Sequence, residues 1–295
     1  MEKRRFGRTG HMSTVAIFGA YAFLKATQAE VDAVMEGVIS AGVNHIDVAP
    51  SYGEAEACLG PWLGRERDRF FLGCKTLERS KEGAAAEMRE SLDRLQVDNI
   101  DLYQFHQVDR IEQVNQITEP GGALEAVLEA RDKSLTRYIG ITGHVPATLS
   151  YALDCFEFDS VLFPYNFIQA SEPGYQNAFL ELMGKCRTRD IGVMIIKSVT
   201  KGPWGKQTPT HNTWYEPFLN REEIQRCVNF VLSQDITGIC TAGDSGLLPP
   251  FLEACENYTR LEAVEQESLV RSAAGVYEPM FFSHREPEGL DQEFV

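Results

Sequence analysis

Strand-like and helix-like segments alternate along the whole chain, and this alternation limits the folds that are open to it. The helix-like segments are amphipathic, and two of them begin like capping boxes, at Thr27 with Glu30 and at Asn220 with Glu223. Eight such strands with intervening helices predict an α/β fold of the (β/α)8 or TIM barrel type. The predicted strands cover residues 14–18, a run ending at Asp47, residues 70–75, a run ending at His106, and residues 137–141, 160–163, 193–196 and 236–240.

We expect a single domain, residues 1–295, with its barrel core at about residues 14–257. No linker-like or low-complexity stretch divides the chain. A small N-terminal hairpin at residues 3–13 precedes the barrel, and an aromatic-rich loop at residues 201–220 follows the seventh strand. Residues 107–120 are polar and predict a loop, and residues 258–295 predict a C-terminal helix and tail.

The charge balance excludes several classes of partner. The chain has 28 basic and 43 acidic residues, for a formal net charge of −15, which repels nucleic acids and acidic membranes. No apolar run approaches the roughly 20 residues of a membrane helix, and no apolar stretch of a signal peptide follows the amino terminus. The seven cysteines form no C-x-x-C pair, which argues against a disulfide framework or zinc site. We expect a cytoplasmic protein with a small-molecule partner; its oligomeric state stays open.

Four polar residues at the predicted strand ends form a set that suits carbonyl chemistry. Asp47 ends the second strand, Tyr52 follows on the next turn, and Lys75 and His106 end the third and fourth strands. Such edges of α/β barrels carry the ligand sites. The pKa of a tyrosine is about 10, and a neighbouring ammonium lowers it. Lys75 can act in this way, with Asp47 holding it charged and His106 bonding the substrate oxygen.

Four short sequence strings, taken in their order along the chain, resemble the aldo-keto reductase family over residues from about 5 to about 257. The strings are FGRTG (6–10), DVAPSYG (47–53), SLDRLQVDNIDLYQFH (91–106) and YIGITGH (138–144), with Lys75 at the intervening strand end. The resemblance implies a (β/α)8 barrel that uses a nicotinamide cofactor without a Rossmann domain. It also implies that Asp47, Tyr52, Lys75 and His106 are the catalytic residues and that Tyr52 is the general acid. No G-x-G-x-x-G motif is present.

The cofactor-binding positions depart from the pattern of this family. Thr142 stands where the family has a serine, whereas Gly143 and Leu162 replace amide side chains. Lys197 falls about where many members stack a tyrosine on the nicotinamide, so that Asn166 and Lys197 are expected to supply substitute contacts. The cofactor-binding residues that we expect are Gly19, Tyr21, Asp47, Thr142, Asn166, Lys197, Gly243 and Asp244.

The resemblance alone favours NADP(H), but the sequence after the eighth strand leaves NAD(H) open. No lysine or arginine that could hold a 2′-phosphate is visible there, and Asp244 is present instead. An acidic residue suits a ribose hydroxyl better than a phosphate.

Large rings in the loop after the seventh strand indicate a substrate pocket for cyclic or aromatic carbonyl compounds or their alcohols. Trp204, Trp214 and Tyr215 are the predicted pocket residues. In the tail, Tyr277, Phe281 and Phe282 add further rings. The alternative is that these rings only pack the loop and the tail onto the barrel.

Two other functions stay open from the sequence. The chain could be a cofactor-binding regulatory subunit of the same fold, although such a binder has no need of Tyr52 or His106. It could also be a metal-dependent hydrolase or lyase with ligands among Asp47, His45, His106 and His144. Lys75 would oppose a cation there, and we expect His45 to be a hydrogen-bonded barrel residue and no metal to be bound.

Overall fold

The computed structural model describes residues 1–281 and contains a closed barrel of eight parallel strands. Barrel strands that follow each other in sequence are neighbours, and the last pairs with the first. The predicted (β/α)8 fold is therefore confirmed. The barrel strands are β3 (Ala16–Gly19), β4 (His45–Asp47), β5 (Phe71–Thr76), β6 (Ile100–Phe105), β7 (Thr136–Thr142), β8 (Ser160–Pro164), β9 (Gly192–Ile196) and β12 (Gly238–Cys240).

Helices cover the outside of the barrel, and their buried faces pack against the strands. They are α1 (Gln28–Ser40), α2 (Ala55–Glu66), α3 (Lys81–Leu95), α4 (Ile111–Thr118), α5 (Ala123–Asp132), α6 (Pro146–Cys155), α7 (Pro173–Thr188), α8 (Arg221–Leu232), α9 (Leu248–Glu256) and α10 (Ala263–Ala273). No helix within residues 1–281 is long and apolar enough to span a membrane.

The N-terminal hairpin closes one end of the barrel. Strand β1 (Lys3–Arg5) pairs antiparallel with β2 (Met12–Thr14), as the sequence predicts for residues 3–13. Between them, the fully buried ring of Phe6 lies 5.3 Å from His45 and 5.6 Å from Phe71, measured between ring centroids. A Cβ at Gly192 would come within 2.2 Å of the Phe6 ring, so the strand must have glycine here. Phe6 thus plugs the end of the barrel opposite the strands' carboxyl ends.

The long loop after β9 has a small hairpin of its own. Strand β10 (Thr200–Gly202) pairs antiparallel with β11 (Glu216–Pro217). The connection between them carries Trp204 and Trp214 over the carboxyl ends of the barrel strands. Phe282, predicted to add a ring to this surface, lies outside the described residues.

One local prediction holds and two do not. Thr27 and Glu30 form the predicted capping box of α1. Asn220 caps α8, but it accepts from the backbone of Glu222 without a capping box. The loop predicted at residues 107–120 contains α4, because Val114 and Ile117 have helical spacing and are buried.

Replacing Phe6 by alanine tests the importance of the barrel plug. The substitution leaves a cavity among packed rings, so we expect Phe6→Ala to lose about 3–5 kcal/mol of unfolding free energy. The control is Met12→Ala in the same hairpin, where the side chain is exposed and the expected change is about 0.5 kcal/mol or less. Denaturant unfolding followed by circular dichroism measures both. Equal losses in the two variants would contradict this role of Phe6.

Candidate active site

The barrel register brings the four predicted catalytic side chains to one place. Asp47 is the last residue of β4, and Tyr52 lies in the turn that follows it. Lys75 lies near the end of β5, and His106 comes directly after β6. Because these strands are neighbours in the barrel, their ends converge on a common pocket.

Lys75 is the centre of this group. Its ammonium donates to Asp47 Oδ2 at 2.5 Å, to the backbone oxygen of Val48 at 3.2 Å and to the Tyr52 hydroxyl oxygen at 3.2 Å. The Lys75 and Asp47 side chains are 1% and 4% exposed, so the ion pair is shielded from water. Since the Tyr52 oxygen accepts from Lys75, its own hydrogen can be donated to a bound molecule.

The electrostatics of Tyr52 differ from the prediction. Burial raises the pKa of Tyr52 to about 12, and the charge of Lys75 lowers it by less than burial raises it. The predicted lowering by Lys75 is therefore present, but burial outweighs it. Burial alone would lower the pKa of Lys75, but Asp47 and Tyr52 raise it above its ordinary value. Lys75 is thus charged throughout the neutral range.

His106 faces the Tyr52 ring, with ring centroids 5.8 Å apart. Burial, followed by the charge of Lys75, holds the pKa of His106 well below its ordinary value. The imidazole is therefore neutral at pH 7 and has a single N–H. This group can donate a hydrogen bond to a substrate oxygen but is not the proton source.

Sequence reasoning missed Gln104, which completes the support of the ion pair. Its amide nitrogen donates to Asp47 Oδ1 at 2.8 Å, and the side chain is fully buried. Gln104 pairs in register with Lys75 across β5 and β6. Side chains alternate between the two faces along a strand, so Gln104 and His106 point to the same side. This alternation could have identified Gln104 from the sequence.

Tyr52 and His106 line a small pocket of about 60 Å³. Four other predicted site residues line it: Tyr21, Thr142, Lys197 and Trp214. The remaining lining residues are Gln107, Gly143, His144, Leu162 and Ile196.

A second polar chain enters the same pocket and was not predicted from the sequence as a unit. Lys197 Nζ lies 2.9 Å from His144 Nε2, and His144 Nδ1 lies 2.9 Å from Asp109 Oδ2. The backbone N–H of His144 also donates to Asp109. Burial lowers the pKa of Lys197 to about 7, against a smaller raising effect of Asp109. Burial, and then the charge of Lys197, lowers the pKa of His144.

Aromatic rings and an unusual backbone hold Lys197 in position. Its Nζ lies 4.5 Å from the centroid of the Trp214 ring and 5.6 Å from that of Phe281. Its φ of +59° is in the left-handed region, which costs a residue with a Cβ about 1 kcal/mol or more.

Three other predicted site residues lie away from the pocket. The side-chain amide of Asn166 donates to the Thr200 oxygen at 2.8 Å and accepts from the Gln169 N–H at 2.8 Å, so it supports the turn into β10. The indole N–H of Trp204 is bonded to the Thr213 oxygen at 2.7 Å. Tyr215 is only 4% exposed. The predicted substrate pocket therefore keeps Trp214, whereas Trp204 and Tyr215 pack the loop.

The segment after the eighth strand, which carries the predicted cofactor residues Gly243 and Asp244, is fastened to the long loop. Asp244 accepts from the Gly246 N–H and from the Asn212 N–H, each at 2.8 Å. The Asn212 amide donates to the Gly243 oxygen at 2.9 Å. Gly19 lies beside this edge, with its N–H on Thr241 Oγ1 at 3.0 Å.

Within residues 1–281, no group of three or more His, Cys, Asp or Glu side chains could hold a metal ion. His45, one of the imagined ligands, bonds Ser13 Oγ at 2.9 Å and packs against Phe6 and Phe71. It is the hydrogen-bonded barrel histidine that the sequence predicts.

Comparison with known proteins agrees with the fold. The model of the aldo/keto reductase family matches residues 16–270. L-galactose dehydrogenase from Arabidopsis thaliana is 26% identical over 229 residues, which are 71% of this chain and 69% of that protein. D-threo-aldose 1-dehydrogenase from a Pseudomonas species is 24% identical over 63% of this chain, and the match spans 65% of that protein.

Among solved structures, the holo form of aldo-keto reductase AKR11C1 from Bacillus halodurans superimposes with a TM-score of 0.72. The two sequences are 21% identical, and the match covers 97% of this chain and all of that one. At this identity the likeness shows a common fold.

The lowered pKa of Lys197 predicts a stability change with a defined sign. Between pH 7 and about 10.5 the unfolded chain binds a proton that the folded lysine has lost, so stability rises with pH in this window. Lys197→Met removes this effect. We expect the variant to be more stable than the parent by about 2–4 kcal/mol at pH 7, with the difference fading by about pH 10.5.

Denaturant unfolding at pH 7, 9 and 10.5 measures this difference. Lys201→Met is the matched control, because the Lys201 side chain is 42% exposed and its bond with Glu216 raises its pKa. This control is expected to lose up to about 1 kcal/mol. A Lys197→Met difference that is the same at all three pH values would contradict the assignment.

Proposed function

Since the chain belongs to the aldo-keto reductase family, we propose that it is a nicotinamide-dependent oxidoreductase that interconverts a carbonyl and an alcohol. Tyr52 is the general acid in the reducing direction. The observation that carries this proposal is the Lys75 ammonium, which donates to the Tyr52 oxygen while Asp47 holds it charged. This contact leaves one transferable hydrogen at the surface of the pocket.

The walls of the pocket fit a nicotinamide ring in their chemistry. Leu162 and Ile196 are apolar, and the Trp214 indole is flat. Thr142 Oγ1 accepts from the Gln107 N–H at 3.1 Å, which leaves its hydroxyl hydrogen for a carboxamide oxygen. These side chains would hold the ring. At about 60 Å³ the pocket is below the usual 300–1,000 Å³ of ligand sites, so it has to widen when ring and substrate enter together.

When bound, the nicotinamide supplies or accepts the hydride. The chain's own residues manage the proton and the oxygen. The neutral imidazole of His106 donates a hydrogen bond to the carbonyl oxygen, and Tyr52 transfers its proton to that oxygen as negative charge develops. The tyrosinate that remains lies 3.2 Å from Lys75 Nζ, and this charge stabilises it. The raised pKa of Tyr52 keeps the proton in place until the reaction requires it.

The same geometry weighs against the two alternatives. A regulatory subunit that only binds cofactor has no use for a buried ion pair directed at a tyrosine hydroxyl. For a metal-dependent hydrolase, the Asp47 carboxylate would have to be a ligand, but both of its oxygens are bonded, to Lys75 and Gln104.

For the substrate, we propose cyclic carbonyl compounds or alcohols, with sugars foremost. The names of both reported relatives are those of sugar dehydrogenases. In this chain, Trp214 offers a flat ring to the apolar face of a sugar, and Tyr52, His106 and Thr142 offer hydroxyl and N–H groups to its oxygens.

For the cofactor, the family favours NADP(H), and Asp244 favours NAD(H). The Asp244 carboxylate already accepts from two backbone N–H groups, and it lies at the edge where the loop is fastened. The negative charge of a 2′-phosphate would lie beside this carboxylate, with no lysine or arginine visible there to balance it. We therefore propose that the protein accepts both cofactors.

Tyr52→Phe tests the general acid. It removes the transferable hydrogen but keeps the ring, so we expect turnover of an aldose to fall by a factor of about 10² to 10⁴. Dissociation constants for NADH and NADPH, read by fluorescence, are expected to stay within about threefold. The control is Tyr138→Phe, which loses a hydroxyl bonded to Thr9 away from the pocket. Turnover within threefold of the parent in Tyr52→Phe would refute the assignment.

A pair of tryptophan variants tests the substrate. Trp214→Ala removes a ring that lines the pocket, and we expect it to raise KM for a cyclic sugar about tenfold while changing KM for propanal less than threefold. Trp204→Ala in the same loop removes a ring outside the pocket, and its effect on both substrates is expected to be small and equal. If Trp214→Ala affected both substrates alike, the ring-binding role would be wrong.

A further inference from the structure

Carbonyl reduction through Tyr52 leaves one reactive side chain of the pocket without a task. Lys197 lies in the same pocket as Tyr52 and His106, and its Nζ is directed at His144. Most lysines place their ammonium in water, but this amine is enclosed by His144, Trp214 and Phe281.

The hydrogen bonds of His144 determine what it can do for Lys197. The Asp109 carboxylate can only accept, so His144 Nδ1 carries the hydrogen of their 2.9 Å contact. His144 Nε2 then has a free lone pair, and it accepts from Lys197 Nζ at 2.9 Å. Because its Nε2 accepts, His144 can take a proton from the Lys197 ammonium. The Asp109 carboxylate then stabilises the imidazolium.

The surroundings fix the position of the amine on the other sides. The Lys197 backbone adopts the left-handed φ of +59°, and its carbonyl oxygen accepts from the Thr200 N–H at 3.1 Å. Phe281 is held against the amine by Gln169, whose side chain bonds both the N–H and the oxygen of Phe281. A strained backbone that is fixed from several sides is a frequent property of functional residues.

We propose that Lys197 is a nucleophilic amine that forms an imine with an aldehyde or ketone entering the pocket, with His144 as its base. The proposal uses the carbonyl-binding pocket of the proposed function, but it requires neither a cofactor nor Tyr52. The two can therefore fail separately.

The step is balanced without any further reactant. His144 takes a proton from the Lys197 ammonium, and the amine's electron pair forms a bond to the carbonyl carbon. The carbonyl oxygen gains a proton and leaves as water after a second proton transfer through His144. The sum is ammonium plus carbonyl compound giving a protonated imine plus water. The iminium draws electrons from the adjacent carbon, so that its hydrogens become exchangeable with solvent.

Anion binding is the other role open to a pocket lysine, and its surroundings favour it less. A lysine that binds a carboxylate or phosphate keeps its charge, whereas burial and the charge of Lys75 favour loss of the proton from Lys197. A desolvated lysine beside a base is the arrangement that makes an amine nucleophilic.

The test is reductive trapping in the absence of nicotinamide. The protein is incubated at pH 7 with propanal and cyanoborohydride, which reduces an imine to a stable secondary amine, and each lysine is quantified by peptide mass spectrometry. The neutral fraction of an amine of pKa about 7 exceeds that of an ordinary lysine about a thousandfold at pH 7. Part of this advantage is lost because a weaker base is a weaker nucleophile. We expect Lys197 to be labelled at least about thirtyfold faster than Lys201.

Lys201 serves as the internal standard because it lies close by in β10, is only partly buried and is paired with Glu216 at 2.5 Å. Labelling at position 197 is expected to vanish in Lys197→Arg, which keeps the charge, and to slow at least fivefold in His144→Gln. It is expected to persist in Tyr52→Phe. Deuterium uptake at the carbon next to the carbonyl of propanal, followed by NMR in D2O, is expected in the parent and not in Lys197→Arg.

The comparison of lysines within the parent protein decides the outcome even if a variant fails to fold. Labelling of Lys197 at the rate of Lys201 or slower would overturn the proposal, as would labelling that is independent of the aldehyde. Trapping at Lys197 in a protein that transfers no hydride would instead refute the proposed function alone.

Discussion

The buried ion pair between Lys75 and Asp47 is the interaction on which the rest of the site depends. Removing one partner of such a pair leaves an uncompensated charge and costs about 3–5 kcal/mol. The chain reduces this risk by fixing both ends, since Gln104 and the Val48 carbonyl take the remaining positions around the pair. All of these groups except Tyr52 belong to strands or strand ends, so the tyrosine is oriented by the most rigid part of the fold.

Two lysines share the pocket, and their surroundings push their pKa values in opposite directions. Lys75 faces a carboxylate and stays charged, whereas Lys197 faces a neutral imidazole and aromatic rings and loses its proton near neutrality. Separation of pKa values by environment allows one side-chain type to serve as a fixed charge and as a reactive base in the same pocket. The repulsion between the two ammonium groups adds to this separation.

The sequence was informative wherever a property repeats along the chain. Strand periodicity placed Asp47 and Lys75 correctly, because residues at the ends of parallel strands meet by necessity. The pKa of Tyr52 could not be predicted, since it depends on how deeply the pocket is covered by a loop that is distant in sequence. Asn166 has the right chemistry for a ligand, but its amide is used by the backbone of β10. Nothing local in the sequence indicates the partner or the backbone conformation of Lys197.

The plug formed by Phe6 has a consequence for the movement of molecules through the site. Within the described part of the chain, packed rings fill the end of the barrel at which the strands begin. In this part of the chain, the pocket therefore opens to solvent only at the carboxyl ends of the strands. Substrate, product and expelled water therefore share one passage, and Trp214 of the loop fastened by Asn212 lines the pocket beneath it. A change in this loop therefore acts on arrival and on departure together.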